Sequence, residues 1–209
     1  MYITSNFDSG NIRVVEAEQA DNIQLEIIKD NQSDFYQWFH FKLHNNERLE
    51  HTLRITNAGQ SAYVEGWHDY QAVISYDRQE WFRVPTDFDG DTLTIKFTPE
   101  YDAVYIAYFV PYSYERHQDL LQDAQMHIDC QLQVLGQTLD GRDISVLKVG
   151  EHGPNKKVIW FTARQHPGET MAEWFIEGLL ARLLDDDDGV SGIAQLEEQI
   201  HQTLHIQPM

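Results

Sequence analysis

Val158-Ile159-Trp160-Phe161, then Arg164-Gln165-His166-Pro167-Gly168-Glu169, then Thr170-Met171-Ala172-Glu173: this stretch decides how the chain folds. The apolar run inside residues 157–163 predicts a strand buried on both faces. Behind it, Ala172, Phe175, Ile176, Leu179, Leu180 and Leu183 recur at i, i+3, i+4, i+7, i+8 and i+11, the apolar stripe of an amphipathic helix. Thr170 and Glu173 fit a capping box, which predicts a helix start near Thr170. Residues 164–169 thus lie between a strand's carboxyl end and a helix N-terminus, where α/β proteins gather functional groups.

Working outward, Asp185-Asp186-Asp187-Asp188-Gly189 reads as a solvated loop, because adjacent carboxylates cannot all turn toward one ion. A second helix is expected over roughly residues 190–200, and alternation from His201 to Gln207 predicts a strand. Strand, helix, helix, strand implies a parallel crossover. Upstream, residues 131–150 read as two strands joined at Asp140-Gly141, a dipeptide favoured in tight turns. Residues 115–125 predict a short polar helix.

Before Pro111 the pattern is different. Ile23, Leu25 and Ile27 alternate with polar residues, as do Leu93, Ile95 and Phe97. Further strands are expected at 12–16, 35–43, 51–56, 70–76, 81–84 and 103–109. Residues 35–43 and 104–109 are apolar at both parities and are expected in the middle of a sheet. Turn signals separate these runs at Asn45-Asn46, Asn57-Ala58-Gly59 and Asp89-Gly90-Asp91. The expected fold class is α+β multidomain: an N-terminal antiparallel β-sandwich over 1–112, followed by the first part of an α/β domain over 113–209.

A net charge of -19 argues against a nucleic-acid partner, which would need clustered Lys and Arg. The N-terminus has no basic and apolar signal-peptide regions, and no apolar run reaches the roughly 20 residues of a membrane span. One cysteine, Cys130, excludes an internal disulfide. These features predict a cytoplasmic protein with no membrane partner; they leave the oligomeric state open.

His166 and Glu169, three apart across Pro-Gly, can bring an imidazole nitrogen and a carboxylate to one cation, and zinc accepts both. The spacing alone is weak, because a helix N-terminus favours a carboxylate for its dipole. Arg164 either orients the pair through a hydrogen bond from behind or forms a structural ion pair. His40, His44, His51, His68, His117, His127 and His152 have no spacing partner and are expected to be exposed or hydrogen-bonded.

Residues 164–169, with Trp174 and Gly178 after them, resemble the zinc carboxypeptidase family, specifically its cytosolic carboxypeptidase branch. Tyr108-Phe109-Val110-Pro111-Tyr112-Ser113-Tyr114 is similar to the segment joining that branch's β-sandwich to its peptidase domain. Leu139-Asp140-Gly141-Arg142-Asp143 resembles the hairpin before its zinc strand, and Phe35-Tyr36-Gln37-Trp38-Phe39-His40-Phe41 its N-terminal domain. The resemblance implies zinc as cofactor, His166 and Glu169 as metal ligands, and hydrolysis at a peptide or protein C-terminus. It also implies that the third ligand, the general-base Glu and the carboxylate-binding Arg lie past Met209, so no catalytic residue is expected within this chain.

His201 and His205, on the last expected strand, are the other candidates for a third ligand and are disfavoured by that position. If the chain ends there, apolar surface on residues 158–161 and 171–183 should be left exposed. Two alternatives remain: a zinc amide hydrolase acting on acylamino acids, and a non-catalytic chain acting through its sandwich. The pattern change near 110–116 predicts a domain junction that limited proteolysis will cut. Equal resistance throughout 100–125, with cutting elsewhere, would contradict a junction there.

Overall fold

The structure, a computed structural model, describes all residues except 46, 151–153, 155–156, 167, 186–199 and 207–209, and the backbone alone at 157 and 200–206. It divides into two compact units, Met1–Pro111 and Tyr112–Met209.

The first unit contains β1 (Tyr2–Thr4), β2 (Arg13–Glu16), β3 (Ile23–Glu26), β4 (His40–His44), β5 (His51–Ile55), β6 (Val73–Ser75), β7 (Phe82–Arg83), β8 (Thr86–Phe88), β9 (Leu93–Phe97) and β10 (Ala103–Ala107). One sheet runs β1-β4-β10-β6-β7 and the other β2-β3-β5-β9-β8. The alternation decides which face is buried. Leu93, Ile95 and Phe97 are buried, while Thr94 is half-buried and Lys96 exposed. Ile23, Leu25, Leu53 and Ile55 of one sheet share an apolar cluster with Phe41, Leu43, Ile74 and Ile106 of the other. Trp67 plugs that cluster, donating from Nε1 to Ser61 Oγ (2.8 Å) and to the Ala58 carbonyl (3.0 Å).

Two expectations change here, and two short strands were not expected. The second sheet is not wholly antiparallel: β3 and β5 pair in parallel, because the chain crosses to the other sheet as β4 and returns in its original direction. The strand expected over 35–43 begins only at His40, and Phe35 is exposed. Its earlier backbone groups go to scattered partners: the Tyr36 carbonyl accepts from Ala62 N, the Trp38 carbonyl from Asn11 Nδ2. β1 and β8, three residues each, are too short to carry a period.

The second unit contains α1 (Tyr114–Gln125), β11 (Cys130–Gln137), β12 (Asp143–Val149), β13 (Lys157–Ala163), α2 (Thr170–Leu183) and β14 (Ile200–Ile206). Its sheet runs β11-β12-β14-β13, with β13 and β14 parallel and the other pairs antiparallel. The expected crossover from β13 to β14 is therefore present. Ser113 caps α1 by accepting from Arg116 N at 3.1 Å. Gly141 takes φ +78° in the β11–β12 turn, a left-handed conformation that glycine adopts without a Cβ clash. Leu121, Leu147, Val149, Ala163, Ile176 and Leu180 form the core.

β13 is not buried on both faces. It stands at the end of the described sheet, and Val158, Trp160 and, on α2, Phe175 are exposed. The helix expected over 190–200 lies outside the described residues, as does the acidic run from Asp186 onward. Among the described residues no helix is long and apolar enough to cross a membrane.

His40 is buried with Nδ1 3.0 Å from Ser9 Oγ and Nε2 without a partner among the described residues. Burial, reinforced by the charge of Arg78, pushes its pKa down to about 3. The unfolded chain takes up this proton near pH 6.5 and the fold does not. The stabilisation is thus complete above 6.5 and lost as pH falls from 6.5 toward 3. His40→Phe should flatten the pH dependence of the unfolding free energy in that window; an unchanged slope in urea titrations would contradict the assignment.

Candidate metal centre

β13 ends at the buried Ala163, and the chain turns at Arg164, whose φ of +55° lies in the left-handed region unfavourable to a long side chain. The turn closes when Glu169 N donates to the His166 carbonyl at 3.0 Å. Glu169 is the N-cap residue of α2: its own carbonyl accepts from Ala172 N at 3.0 Å. Its carboxylate makes no cap hydrogen bond. Oε1 instead lies 3.0 Å from His166 Nδ1, with the two side chains 79% and 47% exposed. A carboxylate serving only the helix end would bond helix amides; this one faces an imidazole.

The pair suits zinc. Two donors each about 2.1 Å from zinc at a tetrahedral angle stand about 3.4 Å apart, so the 3.0 Å pair needs to open by only a few tenths of an ångström. Among the described residues no group of three or more His, Cys, Asp or Glu could hold one ion. His201 and His205 lie on β14, whose side chains fall outside the described residues; in register, His205 pairs with Thr162 and His201 with Val158.

Arg164 is buried. Its Nη1 donates to the Tyr112 carbonyl at 2.9 Å and to the Glu173 carboxylate. That second bond overturns the capping-box reading. Thr170 is already inside α2, and Glu173 turns inward instead of reaching back to the helix end. His117 is buried beside the same carboxylate, its Nδ1 2.9 Å from Glu173 Oε1 but out of line for a hydrogen bond. It is neither exposed nor hydrogen-bonded among the described residues, contrary to expectation. The sequence carried one signal: Glu173, Ile176 and Leu180 share a helical face, and a carboxylate on a core-facing stripe needs a partner.

A second ionic group ties the two helices. Arg116 grips the Glu177 carboxylate through Nε (2.8 Å) and Nη2 (2.6 Å), and Tyr112 Oη donates to it at 2.7 Å. Arg116 holds the Glu177 carboxyl below its usual range, while burial and then Glu177 push the Tyr112 phenol well above its own. The Arg116 guanidinium also lies 4.2 Å from the Trp174 ring centroid.

Residues 3–109 match the family described as the cytosolic carboxypeptidase N-terminal domain, and residues 116–206 match zinc carboxypeptidase. The chain belongs to the cytosolic carboxypeptidase branch of the zinc carboxypeptidases. It is 47% identical, over 96% of its length, to an uncharacterized protein of Zymomonas mobilis and covers 52% of that protein. A metallo-carboxypeptidase from Burkholderia cenocepacia superposes with a TM-score of 0.92 at 46% identity, over 98% of this chain and 55% of the other. One from Pseudomonas aeruginosa, solved with (2-guanidinoethylmercapto)succinic acid, gives 0.93 at 44%, over 98% and 54%. The chain thus spans about half the length of these carboxypeptidase relatives.

Proposed function

We propose that this protein is a zinc metallocarboxypeptidase acting on the C-terminal bond of a peptide or protein, with His166 and Glu169 as two of the zinc ligands. The observation that carries the reading is the pairing of His166 Nδ1 with Glu169 Oε1 at the end of β13, inside the segment that matches zinc carboxypeptidases. The same reading takes residues 1–112 as a β-sandwich domain and 113–209 as part of the peptidase domain. It also takes the protein as cytoplasmic, in keeping with a lone cysteine whose burial pushes its thiol up to about 11.

When bound, zinc supplies Lewis acidity to a scissile carbonyl and to the attacking water. This chain's own contribution is to hold the ion: the imidazole offers Nδ1, and the Glu169 carboxylate, free of any capping duty, offers an anionic oxygen. A catalytic zinc needs three protein ligands, a general base, and a cation for the substrate carboxylate. We assign none of those further roles to a described residue.

In the complete protein, replacing either His166 or Glu169 by Ala should lower zinc content and release of C-terminal residues together. Loss of an outer partner alone typically costs about 10–100-fold in metal affinity, so loss of a ligand should exceed that. Full zinc content in both variants, by metal analysis, would contradict the assignment. The 209-residue chain by itself should bind zinc weakly and release no C-terminal residues from peptides of varied ends; metal-dependent release would mean that the remaining groups lie within it.

A further inference from the structure

Arg164, Glu173 and His117 come from three elements, the turn after β13, the first turns of α2, and α1, and all three side chains are almost fully buried. Burying a carboxylate between a guanidinium and an imidazole is costly unless the geometry is held. The charges do not touch substrate or metal in the function proposed above, so that function leaves the cluster unexplained. Arg164 is also the one residue of the ligand turn described in a strained, left-handed conformation. Such strain persists only where surrounding bonds over-determine it. Here those bonds include the two made by Nη1, to Tyr112 O and to Glu173. Arg164 lies two residues before His166 and five before Glu169, and the same turn is closed by the bond from Glu169 N to His166 O.

We propose that Glu173 is a positioning residue for the metal-ligand turn: by anchoring Arg164 from inside α2, it fixes the turn that sets His166 and Glu169 side by side. Oε2 receives Arg164, while Oε1 faces His117, so α1 backs the carboxylate and keeps it from swinging away. Thr170 Oγ1, one turn earlier on α2, is buried without a partner among the described residues and offers the carboxylate no substitute anchor in the fold as it stands. The inference rests on the zinc reading for the purpose of the turn, but the lock itself is a statement about this chain's backbone.

The test is amide hydrogen exchange by NMR on the metal-free protein, comparing the Glu169 amide, which bonds to His166, with the Leu180 amide in the core of α2. Glu173→Gln keeps the shape and removes the charge. It should speed exchange at Glu169 by about tenfold or more beyond any change at Leu180. A second variant, Arg164→Met with Glu173→Leu, fills the site with apolar groups of similar size and should preserve thermal stability, because apolar replacement of a buried pair is commonly tolerated. The Glu169 amide should remain fast in it. If both amides change by the same factor in Glu173→Gln, or if the double variant restores slow exchange at Glu169 together with stability, the cluster is structural and the proposal is overturned. Should Glu173→Gln fail to fold, the double variant alone decides. Because no metal is present, this result is independent of the zinc content of the His166 and Glu169 variants, so either idea can fail without the other.

Discussion

The buried carboxylate of Glu173 is the constraint on which the second unit's arrangement turns. Removing one partner of a buried ion pair typically costs about 3–5 kcal/mol, because the other charge is stranded away from water. Whole domains are stable by only about 5–15 kcal/mol. A group with that leverage does not sit by accident between the end of β13 and the two helices. It links α1 to α2 through His117 and α2 to the turn through Arg164. The Arg116–Glu177–Tyr112 group makes a parallel link nearer the surface. Exposed pairs contribute little, and Arg116 is about half exposed, so its grip is best understood as orientation of α1 more than as a store of stability.

The first unit obeys a different logic. Its stability comes from two sheets whose inward residues share one apolar cluster, with Trp67 and Phe39 stacked at its centre. Period-two patterning made most of this legible, since Ile23, Leu25, Leu93 and Ile95 stand where alternation puts them. What could not be read was the order of strands. Pairing of β3 with β5 depends on where the chain goes between them, and no local pattern encodes that. The aromatic run at 35–41 was misleading for a related reason. His40 is buried under Phe7, Trp81 and Tyr105, with Trp38 edge-on beside it, while Trp38 itself joins the shared cluster, so burial at both parities came from covering aromatics and not from a longer strand.

In the second unit the strand and helix around residues 157–183 were legible because each has its own period, and the segment between them because His166 and Glu169 flank Pro-Gly in the sequence. The role of Glu173 was hidden. Its spacing from Thr170 satisfies a local capping rule, and only tertiary contact reveals that burial against Arg164 and His117 wins over that rule. The exposure of Val158, Trp160 and Phe175 departs from the expected burial of β13 on both faces and agrees with the expectation of exposed apolar surface on residues 158–161 and 171–183. It sets these residues apart from Ile176 and Leu180, which share their apolar character and are buried.

An imidazole and a carboxylate from one turn are proposed to hold zinc. X-ray absorption spectroscopy of the zinc-loaded complete protein tests this most directly, because it counts the donor atoms themselves. The expected result is a shell of nitrogen and oxygen at about 2.0–2.2 Å with imidazole scattering that weakens in His166→Ala. A sulfur scatterer at about 2.3 Å, or imidazole scattering undiminished in that variant, would contradict it.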